Sequence, residues 1–269
     1  MSQIRPAAVA GAFYPGNGQV LSRDLDALLE AAPEAHGPLP KALIVPHAGY
    51  IYSGPIAASA YRRLVAGRGQ ITRVVLLGPA HRVAVRGLAL PQTDAFATPL
   101  GLVRIDQATC DAIRTLPQVV SSDKAHAQEH SLEVQLPFLQ KVLGDFALVP
   151  LVVGDASASE VAQVLERLWG GPETLIVISS DLSHYLPYAK AQRVDQETTA
   201  MILCLQTGIS HEQACGGTPV NGLLIAAKQH RLKPELLDLR NSGDTAGGPE
   251  QVVGYAAFAF VAEDSHVHG

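Results

Sequence analysis

Leu43-Ile-Val-Pro46-His47-Ala-Gly-Tyr50 decides how this chain is read: an unbroken apolar run stops at a proline and opens onto a histidine and a glycine. A strand of that character is buried on both faces, as in a parallel sheet covered by helices. The pattern recurs twice. Val75-Leu-Leu-Gly78 runs into Pro79-Ala-His81-Arg82, and Ile176-Val-Ile-Ser179 runs into Ser180-Asp181-Leu-Ser-His184-Tyr185. Parallel strands end along one edge of their sheet, where ligands bind in the crevice. Strand polarity alone therefore predicts that His47, His81, Asp181 and His184 share one rim.

Outward from these runs, the predicted strands are Ala42–Val45, Arg73–Leu77, Leu148–Val153, Leu175–Ile178 and Val252–Val261, separated by helical patterns. Leu132, Leu136, Leu139 and Leu143 fall on one helical face, as do Ile56, Ala60 and Leu64. Gly54-Pro55 and Thr218-Pro219 read as helix starts, predicting helices over Pro55–Val65 and Pro219–His230. Arg86–Arg104 is broken by Pro91-Gln-Thr-Asp94 and Thr98-Pro-Leu-Gly101, which suits antiparallel strands. The fold class is accordingly α/β: a single domain with a mixed, largely parallel sheet flanked by helices. The loosest segments are Ala31–Pro40, Asn241–Pro249 and the tail from Glu263.

Composition limits the function. Of 269 residues, 47% are hydrophobic and 17% charged, which suits a compact globular chain. A formal net charge of -5 and the lack of any dense basic run exclude nucleic acid as an expected partner. No apolar stretch approaches the roughly 20 residues of a membrane-spanning helix, and no secretory signal is legible, so a cytoplasmic protein is expected. Three cysteines without a CxxC pair build neither a disulfide framework nor a cysteine-built iron-sulfur or zinc site, so any cysteine that matters acts alone.

Any one of the rim histidines reads equally well as a capping residue satisfied by backbone, but three together point to a site. Imidazole is both the commonest metal ligand and the side chain that titrates near neutrality, so the cluster serves metal binding or acid–base work. Glu129-His130 precedes the Leu132–Leu143 helix, where a polar residue either caps the helix or joins the site. Cys215 lies in a glycine loop ahead of a helix, a setting that favours thiolate. Cys110 and Cys204 lie inside helical patterns and read as small buried hydrophobes. The tail histidines, His266 and His268, are left outside the site.

Arg5-Pro-Ala-Ala-Val-Ala-Gly-Ala-Phe-Tyr-Pro-Gly16, Val45-Pro-His-Ala-Gly-Tyr50, Leu77-Gly-Pro-Ala-His81, Glu129-His-Ser-Leu-Glu-Val-Gln-Leu-Pro137, Ser179-Ser-Asp-Leu-Ser-His184 and Cys215-Gly-Gly together resemble the Memo family. Its prokaryotic members are known as AmmeMemoRadiSam system protein B, and its fold is similar to that of class III extradiol dioxygenases. The resemblance implies that His47, His81 and Cys215 match the family's metal ligands, with iron (Fe2+) reported and copper proposed; zinc also suits such donors. It implies that Asp181 and His184 are the pocket's second pair, His184 matching the acid–base histidine of the dioxygenases, and His130 is grouped with them. A cysteine replaces the carboxylate ligand of the dioxygenases, and a thiolate is softer and itself oxidisable.

Three functions follow as alternatives. In the first, His47, His81 and Cys215 hold iron in a dioxygenase-like redox enzyme, with His184, oriented by Asp181, moving a proton. In the second, a metal-independent hydrolase, Cys215 is a nucleophile activated by His184. In the third, the pocket belongs to a non-catalytic adaptor for a peptide or small-molecule ligand, with Arg82 meeting an anionic group. The resemblance also implies AMMECR-type and radical SAM proteins as partners.

Overall fold

The computed structural model describes residues 3–263. The first part of the chain forms β1 (Ile4–Arg5), α1 (Gly18–Ala31), β2 (Ala42–Val45), α2 (Tyr50–Tyr61) and β3 (Arg73–Pro79). Short strands and helices follow: β4 (Leu88–Leu90), β5 (Ala95–Thr98), β6 (Gly101–Ile105), α3 (Gln107–Ile113), β7 (Val119–Ser121), α4 (Asp123–Ala127), α5 (His130–Glu133) and α6 (Leu136–Leu143). The last part holds β8 (Ala147–Val153), α7 (Ala158–Leu168), β9 (Thr174–Ser179), β10 (His184–Leu186), α8 (Tyr188–Leu203), α9 (Gly217–Gln229), β11 (Leu232–Asn241) and β12 (Val252–Ala262).

All strands join one mixed sheet in the order β1-β5-β6-β8-β3-β9-β2-β12-β10, with β11 also on β12, and β4 and β7 beyond β8. At its centre β8, β3, β9 and β2 are parallel neighbours. Their side chains are almost wholly buried, as continuous apolar runs require. Strand β12 runs antiparallel to β2, and β5 and β6 form the hairpin expected between Arg86 and Arg104. Pro150, which has no N–H to give, lies on β8 between the stretches paired to β6 (Ala147 and Leu148) and to β4 (Val152 and Val153). Helices flank the sheet in two groups: α1, α2 and α6 pack on one another, while α7 packs on α3 and α9.

Two helix expectations are corrected. The helix predicted to start at Pro55 begins five residues earlier, at Tyr50, and Pro55 sits inside it. The carbonyl that proline leaves unbonded belongs to Ile51, which is 68% exposed in the first turn, so water can satisfy it. From Arg62 to Gly67 the chain tightens into a 3-10 turn. The Leu132–Leu143 helix is divided in two, because Pro137 cannot donate to the Glu133 carbonyl and instead opens α6. The break lets α5 pack against the ends of β3 and β8. A third correction concerns Cys204, which caps the end of α8 and is exposed, whereas Cys110 is buried as expected. The tail histidines lie outside the described residues.

Candidate metal centre

Strands β2, β9 and β3 are consecutive in the sheet, with Val45 paired to Ser179 and Leu77 to Ile178. The segments leaving them carry His47, Asp181 and His81, so the shared rim follows from register. A fourth element closes it. Gly78 lets α5 approach β3 closely: a Cβ there would stand 2.7 Å from Ser131 Oγ. Through that contact His130 joins the rim.

The imidazoles of His47, His81 and His130 each present a ring nitrogen within 4.8 Å of the others. The rings of His81 and His130 stack with centroids 4.6 Å apart, and His47 meets both edge-on. His47 is buried, whereas His81 opens to solvent. Burial, reinforced by the neighbouring His81 and His130, holds His47 well below the ordinary histidine value, and burial also lowers His130. Neutral imidazole is the ligand form.

Glu129 organises the triad. Its carboxylate accepts the His81 backbone N–H at 2.6 Å, His81 Nδ1 at 2.8 Å and the Ser131 N–H at 3.0 Å. A carboxylate can only accept, so His81 carries a proton on Nδ1, which leaves Nε2 as the atom available to a metal. Burial opposes the charge on Glu129, but these donors hold its pKa down, to about 2. Glu129 therefore both caps α5 and fixes His81. Its loop is held in turn by Arg5, whose guanidinium donates to the Glu129 carbonyl at 2.8 Å and the Glu133 carboxylate at 2.5 Å. Glu133 also accepts from the N–H groups of Ala8 and Val9 and from Tyr14 Oη, tying the amino-terminal segment to α5. That segment brings the Phe13 ring to 4.9 Å from His130.

The other expected site residues are also at this rim, with different partners. Asp181 accepts the His47 N–H at 2.7 Å, and burial raises its pKa. His184 is oriented by the Leu182 carbonyl, 2.8 Å from Nδ1, rather than by Asp181. Cys215 Sγ lies 3.3 Å from His47 Nε2 and 3.7 Å from the Asp181 carbonyl. Its loop is pressed onto β9 so closely that a Cβ on Gly216 would stand 2.7 Å from Ser180 Cβ. Burial, then the charge of Asp181, pushes the Cys215 thiol up to about 12, contrary to the thiolate expected from its loop. A cation at the triad would reverse that balance, since metals deprotonate coordinating thiols. His81, His184, Tyr185, Lys190, His211 and Cys215 line a cavity of about 750 Å³, which His81 alone of the triad borders.

The donor set fits a metal ion. Bonds of about 2.0–2.1 Å to three imidazoles bring their nitrogens to roughly 3.3 Å from one another, a short inward move for side chains already in one cluster. Among the described residues, the buried Nδ1 of His130 has no hydrogen-bond partner, and it stands 3.5 Å from Glu129 Oε1. Cys215 reaches the triad through His47, which leaves it at the margin of the set.

A largely parallel α/β sheet with a histidine triad at its strand edge defines the class of this protein, and relatives define the family. The model of the Memo-like protein family matches residues 5–259, so the chain belongs to the Memo family. It is 37% identical to a MEMO1 family protein of Aquifex aeolicus, covering 96% of this chain and all of that protein. A MEMO1 family protein of Aeropyrum pernix is 36% identical, covering 95% of this chain and 99% of the relative. The crystal structure of uncharacterized protein JW3007 from Escherichia coli K12 shares the fold at a TM-score of 0.53 and 15% identity, covering 82% of this chain and 99% of that one.

Proposed function

We propose that this protein is a metal-dependent redox enzyme acting on a small molecule, with His47, His81 and His130 as the metal-holding triad and Cys215 as an adjoining soft donor. The observation that carries this reading is the triad itself: three imidazoles within 4.8 Å, His81 turned by Glu129 so that Nε2 is free to bind. Imidazole donors suit iron, copper and zinc; iron(II) is the proposed occupant. When bound, such an ion would supply redox chemistry and open coordination positions.

The chain's own groups set the rest. A cavity of about 750 Å³ fits a small ligand, in the range of small-molecule sites. His184 borders it, and with its Nδ1–H given to Leu182, Nε2 is the atom that takes up or returns a proton. Asp181 fixes the His47 backbone and the Cys215 loop, whose N–H donates to the Asp181 carbonyl. The hydrolase alternative is weakened because Cys215 meets His47 rather than His184, and because burial keeps it a thiol. The implied AMMECR-type and radical SAM partners stand as proposals alongside this reading.

The test is anaerobic loading with iron(II) followed by nitric oxide, read by electron paramagnetic resonance. An iron-nitrosyl signal, lost in His81→Ala, is expected. Bound iron that never takes up nitric oxide would overturn the open-site reading.

A further inference from the structure

The motif Glu129-His-Ser-Leu-Glu-Val-Gln-Leu-Pro137 holds one polar residue the site has not used. Gln135 is buried in the turn between α5 and α6, and its partners leave its amide a single orientation. Nε2 lies 2.9 Å from the Pro46 carbonyl, which can only accept, so this end must be the NH2. Oε1 lies 2.7 Å from the hydroxyl of the fully buried Tyr61, which donates to it.

The second N–H of Gln135 points at Ser179 Oγ, 2.8 Å away, and Ser179 is the junction of the network. A hydroxyl has one proton to give. Ser179 gives its proton to the Ser131 carbonyl at 2.6 Å. Its remaining neighbour is His47 Nδ1, at 2.9 Å. With the hydroxyl proton already committed and one lone pair taken by Gln135, Ser179 can only accept from His47. The imidazole must therefore carry its proton on Nδ1 and present a bare Nε2 to the triad and Cys215.

We infer that Gln135 and Ser179, steadied by Tyr61, are positioning residues that lock His47 in the tautomer able to bind a metal. The inference deepens the metal-centre reading and rests on it for its purpose, but the tautomer is a property of the metal-free chain. Two different devices then prepare two ligands. A carboxylate sets His81, and a neutral relay sets the buried His47. The relay also links three of the four elements that make the rim, since Ser131 is on α5, Ser179 ends β9 and His47 follows β2.

The test is long-range proton–nitrogen NMR on metal-free, nitrogen-15-labelled full chain at pH 7.5, with the His47 signals assigned by their loss in His47→Ala. The expected spectrum places the His47 proton on Nδ1. In Ser179→Ala and in the milder Tyr61→Phe the single tautomer gives way to a mixture, and cobalt(II) affinity falls about 10–100-fold in Ser179→Ala, the range for removing a group that orients a ligand. Thermal unfolding of each variant confirms that it is folded. A wild-type proton on Nε2, or an unchanged tautomer in both folded variants, would overturn the inference. Wild-type protein with the expected tautomer but no cobalt binding would instead overturn the metal reading and leave the relay standing.

Discussion

Replacing Glu129 with glutamine is the substitution to which the site should be most sensitive, and its cost can be worked from the contacts. The carboxylate receives three N–H donors: two on Oε1, from His81 Nδ1 and Ser131, and one on Oε2, from the His81 backbone. An amide keeps one acceptor, so either orientation sets its NH2 against a buried donor. An unsatisfied buried donor costs about 1–3 kcal/mol, and hydrogen bonds to a charged group contribute about 1.5–3 kcal/mol. The depressed pKa gives a similar scale: from 4.5 to about 2 is worth about 3 kcal/mol. We expect Glu129→Gln to lose about 2–3 kcal/mol in urea denaturation at pH 7.5. If the NH2 faces His81 Nδ1, that imidazole is driven to the opposite tautomer and metal affinity falls at least tenfold. Stability within about 0.5 kcal/mol of wild type together with unchanged metal affinity would refute the reasoning.

Other consequences are as specific. His126 is buried, donates Nε2–H to the Ala89 carbonyl, and is held down to about 4 by burial. Because the unfolded chain binds this proton more readily, the contribution is intact above about pH 6.5 and is lost as pH falls towards 4. On going from pH 7.5 to 5.0, wild type should therefore lose about 2 kcal/mol more than His126→Leu in parallel urea titrations; equal losses would remove the claim. Gly216→Ala should cost about 1–3 kcal/mol by forcing the Cys215 loop off Ser180, with a matching drop in melting temperature, and an unaffected melting temperature would show that the loop has room. Native alkylation followed by peptide mapping should label the exposed Cys204 first and the buried Cys110 last. Fast labelling of Cys215 in metal-free protein would restore the nucleophile reading.

How much of this was legible beforehand depended on what kind of signal each feature leaves. The central strands and the gathering of His47, His81, Asp181 and His184 were readable, because buried parallel strands are nearly all apolar and strand polarity fixes where they end. The hairpin at Ala95–Ile105 was legible from its Thr-Pro-Leu-Gly turn. Helix boundaries at prolines were not. Pro55 and Pro137 each mark a place where a hydrogen bond is missing, and only tertiary packing decides whether the chain starts, bends or continues there. In sequence Glu129 reads as either a cap or a site residue, and a single carboxylate both caps α5 and holds His81. Gln135 gave no signal beyond its place in a motif, since a buried amide reads like any polar residue on a helix until its partners are known. The neighbours of Cys215 were also hidden, because loop composition says nothing of how deeply the thiol is buried.

The most direct test of the account is the metal content of protein purified without metal-affinity chromatography. Wild type, His47→Ala, His81→Ala, His130→Ala and Cys215→Ser would be incubated anaerobically with iron(II), copper(I) or zinc, desalted and analysed for metal. The account predicts near-stoichiometric retention of one of these metals by wild type, loss in all three histidine variants, and a smaller decrease in Cys215→Ser. Wild-type protein that retains none of them, or a His130→Ala variant that retains as much as wild type, would contradict it.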